Sequence, residues 1–357
     1  MTLDALVTER RIIICAGSGG VGKTTNAAVL AMEAARRGRR SVVVTIDPAK
    51  RLADALGLSG IGNEPRRIDG DWPGEMSAVM LDTKGTFDAL VETYSESPEQ
   101  AARILDNRFY RNISGALSGT QEYMAMEKLY ALHNDDDFDV VVVDTPPTRH
   151  ALDFLDAPRR LTHFLDHRLY RVLMMPTRGV MKAVNMAAQT FVRSVSRVVG
   201  AEVLDDALAF FGAFSGMEEG FKERANVVLE LLEDPATAFV LVAAPRLDTV
   251  AEAHFFADRL GDADLAVAAL IVNRIHPLFT LDEPDKVARR AEELADTPLG
   301  PLARNLADFT AIAANERSHI AGLAAMADEV VMVPYLNSDV HDVDGLNRIG
   351  EYLFAGD

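Results

Sequence analysis

The stretch of sequence that decides the fold lies near the N-terminus, where residues 17–24 read Gly17-Ser18-Gly19-Gly20-Val21-Gly22-Lys23-Thr24. An apolar, β-rich run precedes this loop and a helical pattern opens at Thr25, which is the context that phosphate-binding loops require. The glycines let the backbone turn its N–H groups inward, where side chains would block phosphates. Lys23 adds a mobile positive charge, the Thr24 hydroxyl can ligate Mg²⁺, and the helix directs its positive end at the anion. The sequence therefore predicts a P-loop that holds ATP and Mg²⁺.

The rest of the chain predicts an α/β fold. Short apolar runs alternate with helical stretches, which is typical of a mostly parallel sheet with crossover helices. Several runs have no polar alternation, as expected when helices cover both faces of the sheet. The predicted strands are Arg11–Ala16, Ser41–Ile46, Ala78–Leu81, Asp139–Val143, Ala238–Ala243, Val267–Val272 and Glu329–Val333.

One connection between predicted strands is far too long for an ordinary crossover. More than ninety residues separate Val143 from Ala238, and apolar residues recur there at helical spacing, as in Leu161, Leu165 and Leu169. The pattern predicts a helical subdomain over residues 158–235, inserted into a P-loop core of residues 1–157 and 236–357. A second helical stretch is predicted over residues 85–133.

Composition excludes several classes of function. The formal net charge of −18 argues against nucleic-acid binding, because phosphate contacts need clustered cations. The single cysteine, Cys15, excludes an intrachain disulfide and an all-cysteine metal site within one subunit. No apolar run approaches the roughly 20 residues that a bilayer crossing needs, and the N-terminus has no signal pattern. A cytoplasmic protein, with a peripheral membrane position as a variant, is therefore expected.

Two aspartates follow predicted strands, where parallel strands present side chains to a ligand crevice. Asp144 ends the run Val141–Val143 and is predicted to hold Mg²⁺ through its water shell. Asp47 ends the second strand and is predicted to orient the attacking water and to lie near the metal. An aspartate after a strand is often a helix cap or turn residue, and the P-loop favours the functional interpretation here.

These residues together resemble one known family. The run 19–25, then Asp47-Pro48-Ala49 with Asp54-Ala55-Leu56, and Asp144-Thr145-x-Pro147-Thr148-x-His150 resemble the arsenite-pump ATPase (ArsA) and tail-anchored-protein targeting ATPases. This family belongs to the deviant-Walker group of P-loop NTPases. The resemblance continues through Ile271–Arg274 and through the segment from Val333-Pro334 to Asp339-Val340, so it covers nearly the whole chain.

The resemblance implies roles for individual residues. Asp47 lies in switch I, where the family positions or activates the hydrolytic water, and Asp144 lies in switch II as the Mg²⁺-linked carboxylate. Asn273 corresponds to the residue that reads adenine and favours ATP over GTP. Pro334 belongs to the adenine loop. The nucleotide contacts then comprise residues 17–25 (Gly17, Ser18, Gly19, Gly20, Val21, Gly22, Lys23, Thr24 and Thr25), Asn273 and Pro334.

Departures from the family pattern are also informative. Ser18 stands where the family usually has a lysine that reaches the nucleotide of the opposite subunit, so a homodimer of this chain lacks that cation. We therefore predict a heterodimer with a paralogous subunit that retains the lysine; a slow homodimer is the alternative. Arg149 replaces a glycine and is either a local cation or a solvent-exposed side chain, and Lys50 replaces a histidine. The cysteines for arsenite activation and for a zinc-bridged dimer are missing.

The segment 159–197 combines eight basic residues and one acid with four methionines. A basic, methionine-bearing helix suits a hydrophobic client helix or a membrane surface. The alternative is a helical core with a solvated basic rim. The basic residues are Arg159, Arg160, Arg168, Arg171, Arg178, Lys182, Arg193 and Arg197, and the methionines are Met174, Met175, Met181 and Met186.

The predicted function is an ATPase that acts as a nucleotide-controlled dimeric switch. One alternative is a nucleotide-binding regulatory subunit with little hydrolysis of its own, and another is a targeting factor for membrane-protein clients. Intact Lys23, Thr24, Asp47 and Asp144 favour the enzyme, and Ser18 leaves the regulatory subunit open as the alternative. A partition ATPase is disfavoured by the long helical insertion, and an electron-transfer role by the cysteine count.

Overall fold

The computed structural model describes residues 1–47, 51–113, 120–146, 149–166 and 201–355. These residues form two compact units, the first from residues 1–80, 132–152 and 235–357 and the second from residues 81–131 and 153–234. The predicted insertion 158–235 thus lies almost wholly in the second unit, and the predicted core range 1–157 is shared between the two units.

The first unit contains an eight-stranded sheet in the order β3-β4-β2-β5-β1-β6-β7-β8. Seven strands run parallel, and only β3 is antiparallel to its neighbour β4. The central strand β1 has β5 on one side and β6 on the other, so the strand order reverses beside it. The strands are β1 Ile12–Gly17, β2 Arg40–Thr45, β3 Arg66–Ile68, β4 Glu75–Met80, β5 Val140–Asp144, β6 Thr237–Ala243, β7 Val267–Ile275 and β8 Glu329–Pro334.

This sheet confirms the predicted α/β class, and its strands overlap all seven predicted runs with small shifts at their ends. β3 was not predicted, because a three-residue edge strand with exposed Arg66 and Arg67 has no apolar pattern. The end of β7 was placed at Val272 but lies at Ile275. The three extra residues include Asn273 and Arg274, which contact the phosphate loop.

Helices flank the sheet in the first unit. The helix after the loop, α2, is buried along most of its length because alanines and small residues let it pack closely on the sheet. The helices assigned to this unit are α1 Leu3–Glu9, α2 Lys23–Arg36, α3 Arg51–Ala55, α11 Leu247–Asp262, α12 Pro284–Glu293, α13 Gly300–Ile320 and α14 Val343–Leu353, with a 3₁₀ turn at Ala321–Ala325.

The second unit is helical in its described residues. Aromatic side chains form its core, with Phe221 in ring contact with Tyr94, Tyr123 and Phe214. Its helices are α4 Thr83–Tyr94, α5 Pro98–Leu105, α6 Arg108–Ile113, α7 Thr120–His133, α8 Arg149–Asp166, α9 Ala201–Phe214 and α10 Glu218–Glu233, of which α7 and α8 extend by a few residues into the range of the first unit.

A buried polar network lies inside this helical unit. Glu127 is 4% exposed and accepts a hydrogen bond of 2.6 Å from the Tyr123 hydroxyl. The guanidinium of Arg224 lies 3.4 Å from the Glu127 carboxylate and 3.8 Å from the centroid of the Tyr130 ring. Burial raises the pKa of Glu127 above its ordinary value, although Tyr123 and Arg224 oppose the shift.

Most of the basic, methionine-bearing segment lies outside the described residues, including all four of its methionines and Arg168, Arg171 and Arg178. At its start, Arg159 is exposed and pairs with Glu233 at 3.4 Å, and Asp166 pairs with Lys222 at 2.6 Å. Among the helices that the structure describes, none has an apolar stretch long enough to cross a bilayer.

Candidate functional site

The phosphate loop runs from the end of β1 to the start of α2, so Gly17 is the last strand residue and Lys23 the first helical one. Gly22 adopts φ +95°, a left-handed conformation that side chains rarely take, and a Cβ there would lie 2.2 Å from the Asn273 amide nitrogen. Gly17 meets the backbone of β6, where a Cβ would lie 2.0 Å from the Val242 carbonyl oxygen. Only glycine therefore fits at both ends of this loop.

Lys23 curls back over the loop that precedes it. Its Nζ donates a hydrogen bond of 2.8 Å to the carbonyl oxygen of Ser18, and the side chain is buried. Burial lowers the pKa of Lys23, and the charge of Asp144 opposes that shift. A phosphate anion in the loop favours the charged ammonium in the same way, which is the role predicted for this lysine.

Asp144 joins three elements at the carboxyl edge of the sheet. Its Oδ2 accepts hydrogen bonds from the hydroxyls of Thr24 at 2.7 Å and Thr45 at 2.8 Å. The residue is 1% exposed, and its Oδ1 has no hydrogen-bond partner in the part of the chain that the structure describes. Burial raises the pKa of Asp144, against the two hydroxyls and Lys23.

The Oδ1 atom of Asp144 is the structural observation that tests whether this site fits the predicted Mg²⁺. A buried carboxylate oxygen without a donor is unfavourable and needs an explanation, and a hydrated cation supplies one. Oxygen ligands suit Mg²⁺, and the Thr24 hydroxyl lies beside the same carboxylate. The residues present therefore fit Mg²⁺ together with the phosphates of a nucleotide.

Asp47 lies two residues beyond Thr45, at the end of β2. Its backbone N–H donates to the Thr45 hydroxyl at 3.3 Å, and its carboxylate pairs with Arg51 at 3.3 Å. The side chain is only 17% exposed. Sequence reasoning missed both Thr45 and Arg51.

Besides Lys23, three side chains donate hydrogen bonds to carbonyl oxygens of the loop. The Asn273 amide donates to Val21 at 2.8 Å, the Arg274 guanidinium to Gly20 at 3.0 Å, and the Asn26 amide to Gly22 at 2.9 Å. Asn273 is 6% exposed, and its Oδ1 accepts from the Arg274 N–H. The structure thus places Asn273 against the phosphate loop, and its adenine contact stays a prediction.

Ser18 has a partner that sequence reasoning did not find. The residue is 4% exposed, and its hydroxyl donates a hydrogen bond to the carboxylate of Glu252 on α11. The two residues are 234 positions apart, so no local pattern signals the contact. The position of the family's lysine therefore holds a neutral hydroxyl with a carboxylate behind it.

The remaining predicted residues fall in different places. Thr25 lies in the first turn of α2, and Pro334 ends β8 beside Ile275. Lys50 lies outside the described residues, and Arg149 begins α8 with its side chain outside them. Their predicted roles stay predictions.

Comparisons with known proteins find the following similarities. The model of a family described as "Anion-transporting ATPase" matches residues 10–294. An "ATPase ASNA1 homolog" of Trypanosoma cruzi (strain CL Brener) is 24% identical over 98% of this chain and 92% of its own length. An "ATPase GET3" of Phaeosphaeria nodorum is 24% identical over 77% and 80% of the two chains. An "ATPase get3" of Aspergillus terreus is 31% identical over 44% of this chain and 46% of its own length.

Proposed function

This chain belongs to the anion-transporting ATPase family and is an ATPase, and on that premise we propose that it works as a nucleotide-controlled switch paired with a paralogous subunit. The observation that carries the pairing is the contact between Ser18 and Glu252. A family member with lysine at this position offers a cation to the opposite subunit. Here the serine is held within its own chain, and in the proposal a lysine of the paralogous subunit supplies the missing cation.

The proposal assigns the chemistry to residues of one crevice. The loop and Lys23 bind the β- and γ-phosphates, and Thr24 and Asp144 hold Mg²⁺, which neutralises charge on the phosphates when bound. Asp47 orients the attacking water. Because catalysis of phosphoryl transfer is mostly positioning and charge stabilisation, a missing cation lowers the rate but leaves binding intact.

The switch rests on the shared carboxylate of Asp144. Its Oδ2 accepts hydrogen bonds from Thr24 at the start of α2 and from Thr45 at the end of β2. A change at the metal or the γ-phosphate therefore acts directly on the end of β2. Asp47 follows two residues later and is paired with Arg51. In the proposed switch, the Asp47 carboxylate exchanges its contact with Arg51 for the attacking water.

An exposed apolar surface on the first unit is a second argument for a protein partner. We define the α13 apolar surface as Leu278, Phe279, Leu302, Leu306, Phe309 and Tyr335, whose exposed fractions run from 37% to 68%. Leu302, Leu306 and Phe309 share one face of α13. Phe279 and Phe309 are in ring contact, and Phe309 continues through His276 to Tyr335.

The size of this surface fits a stable pair. If a large side chain exposes about 200 Å² when free, the six side chains present roughly 600 Å². A standard interface takes about 800 Å² from each partner, of which somewhat more than half is apolar. We propose that the paralogous subunit covers the α13 apolar surface.

Single-turnover hydrolysis tests the enzyme half of the proposal. The lone chain should hydrolyse ATP slowly, and Asp47→Asn should lower that rate at least about 100-fold while ATP still binds. If Asp47→Asn hydrolyses ATP as fast as the unmodified chain, Asp47 does not orient the water. If the lone chain itself hydrolyses ATP rapidly, the paired-subunit proposal fails.

Purification from the native cell tests the pairing half. A paralogue with lysine at the position of Ser18 should co-purify with this chain, and adding it should accelerate hydrolysis. Phe279→Ser with Phe309→Ser should weaken the association, whereas Tyr352→Ser, at another exposed large side chain of the same unit, should not. A homodimer that resists both substitutions would contradict the assignment of the α13 apolar surface.

A client-targeting role is a separate candidate and depends on the basic segment 159–197. Its test is neutralisation of Arg168, Arg171 and Arg178, with ATP affinity as the control. Reduced binding of an apolar helix or of anionic vesicles, at unchanged ATP affinity, supports this role. Unchanged binding contradicts it.

A further inference from the structure

The carbonyl oxygens of Gly20, Val21 and Gly22 are each held by a side chain from outside the loop. The donors are Arg274 for Gly20, Asn273 for Val21 and Asn26 for Gly22. In a trans peptide unit the C=O of one residue and the N–H of the next point in opposite directions. No cis peptide occurs in the described chain. Each of these hydrogen bonds therefore fixes the direction of the N–H group that follows, and together they orient the N–H groups of residues 21–23.

Those N–H groups are the ones with which a P-loop binds phosphate. The three donors are not equivalent in their surroundings. Asn26 and Asn273 are buried, at 0% and 6% exposure, whereas Arg274 and its acceptor Gly20 are exposed. Water competes for the Gly20 carbonyl, so that peptide unit depends most on a strong donor. A guanidinium provides a charge-assisted bond, which is stronger than a neutral one.

The backbone of Arg274 is specialised for this contact. Its φ is +63°, and only one other non-glycine residue in the described ranges, Asp264, has a positive φ. The register between β7 and β8 shifts between Asn273 and Ile275, so Arg274 sits on a bulge. Bulges redirect side chains, and strained backbone of this kind concentrates at functional sites.

The strand end beyond the bulge is fixed as well. The Glu316 carboxylate on α13 accepts from the His276 backbone N–H at 2.7 Å, and Arg317 donates to the His276 carbonyl at 3.2 Å. Arg274 therefore lies between Asn273, held to the loop, and His276, held to α13. This arrangement maintains the left-handed conformation that points the guanidinium at the loop.

We propose that Arg274 is a positioning residue for phosphate binding, acting through the Gly20–Val21 peptide and independently of the nucleotide base. The guanidinium also places a positive charge on the exposed side of a loop whose position 18 is neutral. The proposal concerns binding by the lone chain, so it stands or fails separately from the paired-subunit proposal.

Nucleotide affinity of the purified chain tests the proposal, measured for MgATP and MgGTP by equilibrium titration. Arg274→Gln and Arg274→Asn should weaken both nucleotides by the same factor, about 5- to 10-fold, as expected for loss of a partly exposed charged hydrogen bond. Asparagine tolerates positive φ, so agreement between the two variants assigns the loss to the side chain. Arg274→Lys should recover part of the affinity.

The matched control is Arg66→Gln. Arg66 is also an exposed arginine of the first unit that donates to a glycine carbonyl, that of Gly60 at 2.7 Å, and its removal should leave affinity unchanged. Unchanged affinity in Arg274→Gln, a changed ATP-to-GTP ratio, or a loss matched by lower thermal stability would each overturn the proposal.

Discussion

The hydroxyl of Ser18 donates a hydrogen bond to the carboxylate of Glu252, which lies on α11. This contact places an acidic side chain directly behind the loop position where the family usually has the lysine that reaches the opposite subunit. The loop is otherwise complete, with Lys23, Thr24 and Asp144 in contact with one another or with the loop backbone. The missing lysine charge at position 18 is thus the main difference between this loop and the family pattern.

Restoring the charge should increase hydrolysis by the chain. In Ser18→Lys, the new ammonium has two partners available, namely Glu252 in its own chain and the nucleotide of a second chain. We expect about a tenfold rise in single-turnover rate at high protein concentration, and a larger rise in Ser18→Lys with Glu252→Gln, since the competing carboxylate is removed. A transition-state cation supplied in trans contributes 10³–10⁵ elsewhere, so these gains are modest.

Concentration dependence checks the mechanism of that gain. A cation supplied by a second chain gives a rate that rises with protein concentration, and Glu252→Gln alone gives no gain. If Ser18→Lys does not accelerate hydrolysis in either background, position 18 does not determine the rate.

Removing the charge of Asp144 should abolish the effect of Mg²⁺ on ATP binding. In Asp144→Asn we expect ATP affinity to be equal with Mg²⁺ and with a chelator, and hydrolysis to fall at least about 100-fold through loss of the metal's charge stabilisation. Thermal stability at neutral pH should not fall, because burial already disfavours the charged carboxylate.

Asp139→Asn is the matched control for Asp144, since Asp139 immediately precedes the same strand. Asp139 pairs with Arg40 at 2.7 Å, and this contact lowers the pKa of its carboxyl. Its substitution should leave the Mg²⁺ effect intact. Equal metal dependence in Asp144→Asn and the unmodified chain would remove Asp144 from the metal site.

Alanine at two loop glycines should separate backbone strain from steric overlap. Gly20 and Gly22 both have positive φ, at +77° and +95°, so alanine costs about 1–2 kcal/mol at either. A Cβ at Gly20 meets nothing within 4 Å, whereas one at Gly22 overlaps the Asn273 amide. We expect ATP affinity to fall about tenfold in Gly20→Ala and much further in Gly22→Ala.

A third variant identifies the cause of the larger loss. Adding Asn273→Ala to Gly22→Ala removes the overlapping amide and should recover part of the difference between the two alanine variants. Equal losses in Gly20→Ala and Gly22→Ala would show that the approach of Asn273 to the loop has no effect on binding.

Glu127 predicts a pH dependence of stability in the helical unit. Its pKa in the folded chain is raised above the ordinary value of 4.5 by burial, so the folded state retains a proton that the unfolded state releases. Its contribution to stability is greatest below that value and declines as the pH rises towards the folded pKa. Glu127→Gln lacks this dependence and keeps an acceptor for the Tyr123 hydroxyl.

Thermal denaturation of both proteins between about pH 4 and pH 8 measures the effect. The stability of Glu127→Gln relative to the unmodified chain should rise with pH across the interval above 4.5. A relative stability that falls with pH would mean that the ion pair with Arg224 outweighs burial.

The sequence alone determined the phosphate loop and the class of fold. Glycines at fixed spacing, a lysine and a threonine specify the loop because its chemistry is local, and alternating strand and helix patterns specify a parallel sheet. Asp144 is predicted for a related reason, since the carboxyl ends of parallel strands meet at one edge of the sheet. The family resemblance rested on the same short motifs.

Only the tertiary structure decided what lies behind the loop and how the helices are grouped. Glu252 and Arg274 contact the loop although they lie more than 200 positions from it in the sequence. Residues 81–131 group with 153–234, and within this unit Phe221 contacts Tyr94, Tyr123 and Phe214. Such contacts follow from strand register, the bulge at Arg274 and the burial of whole faces. These are properties of the assembled sheet and helices, and a local pattern does not encode them.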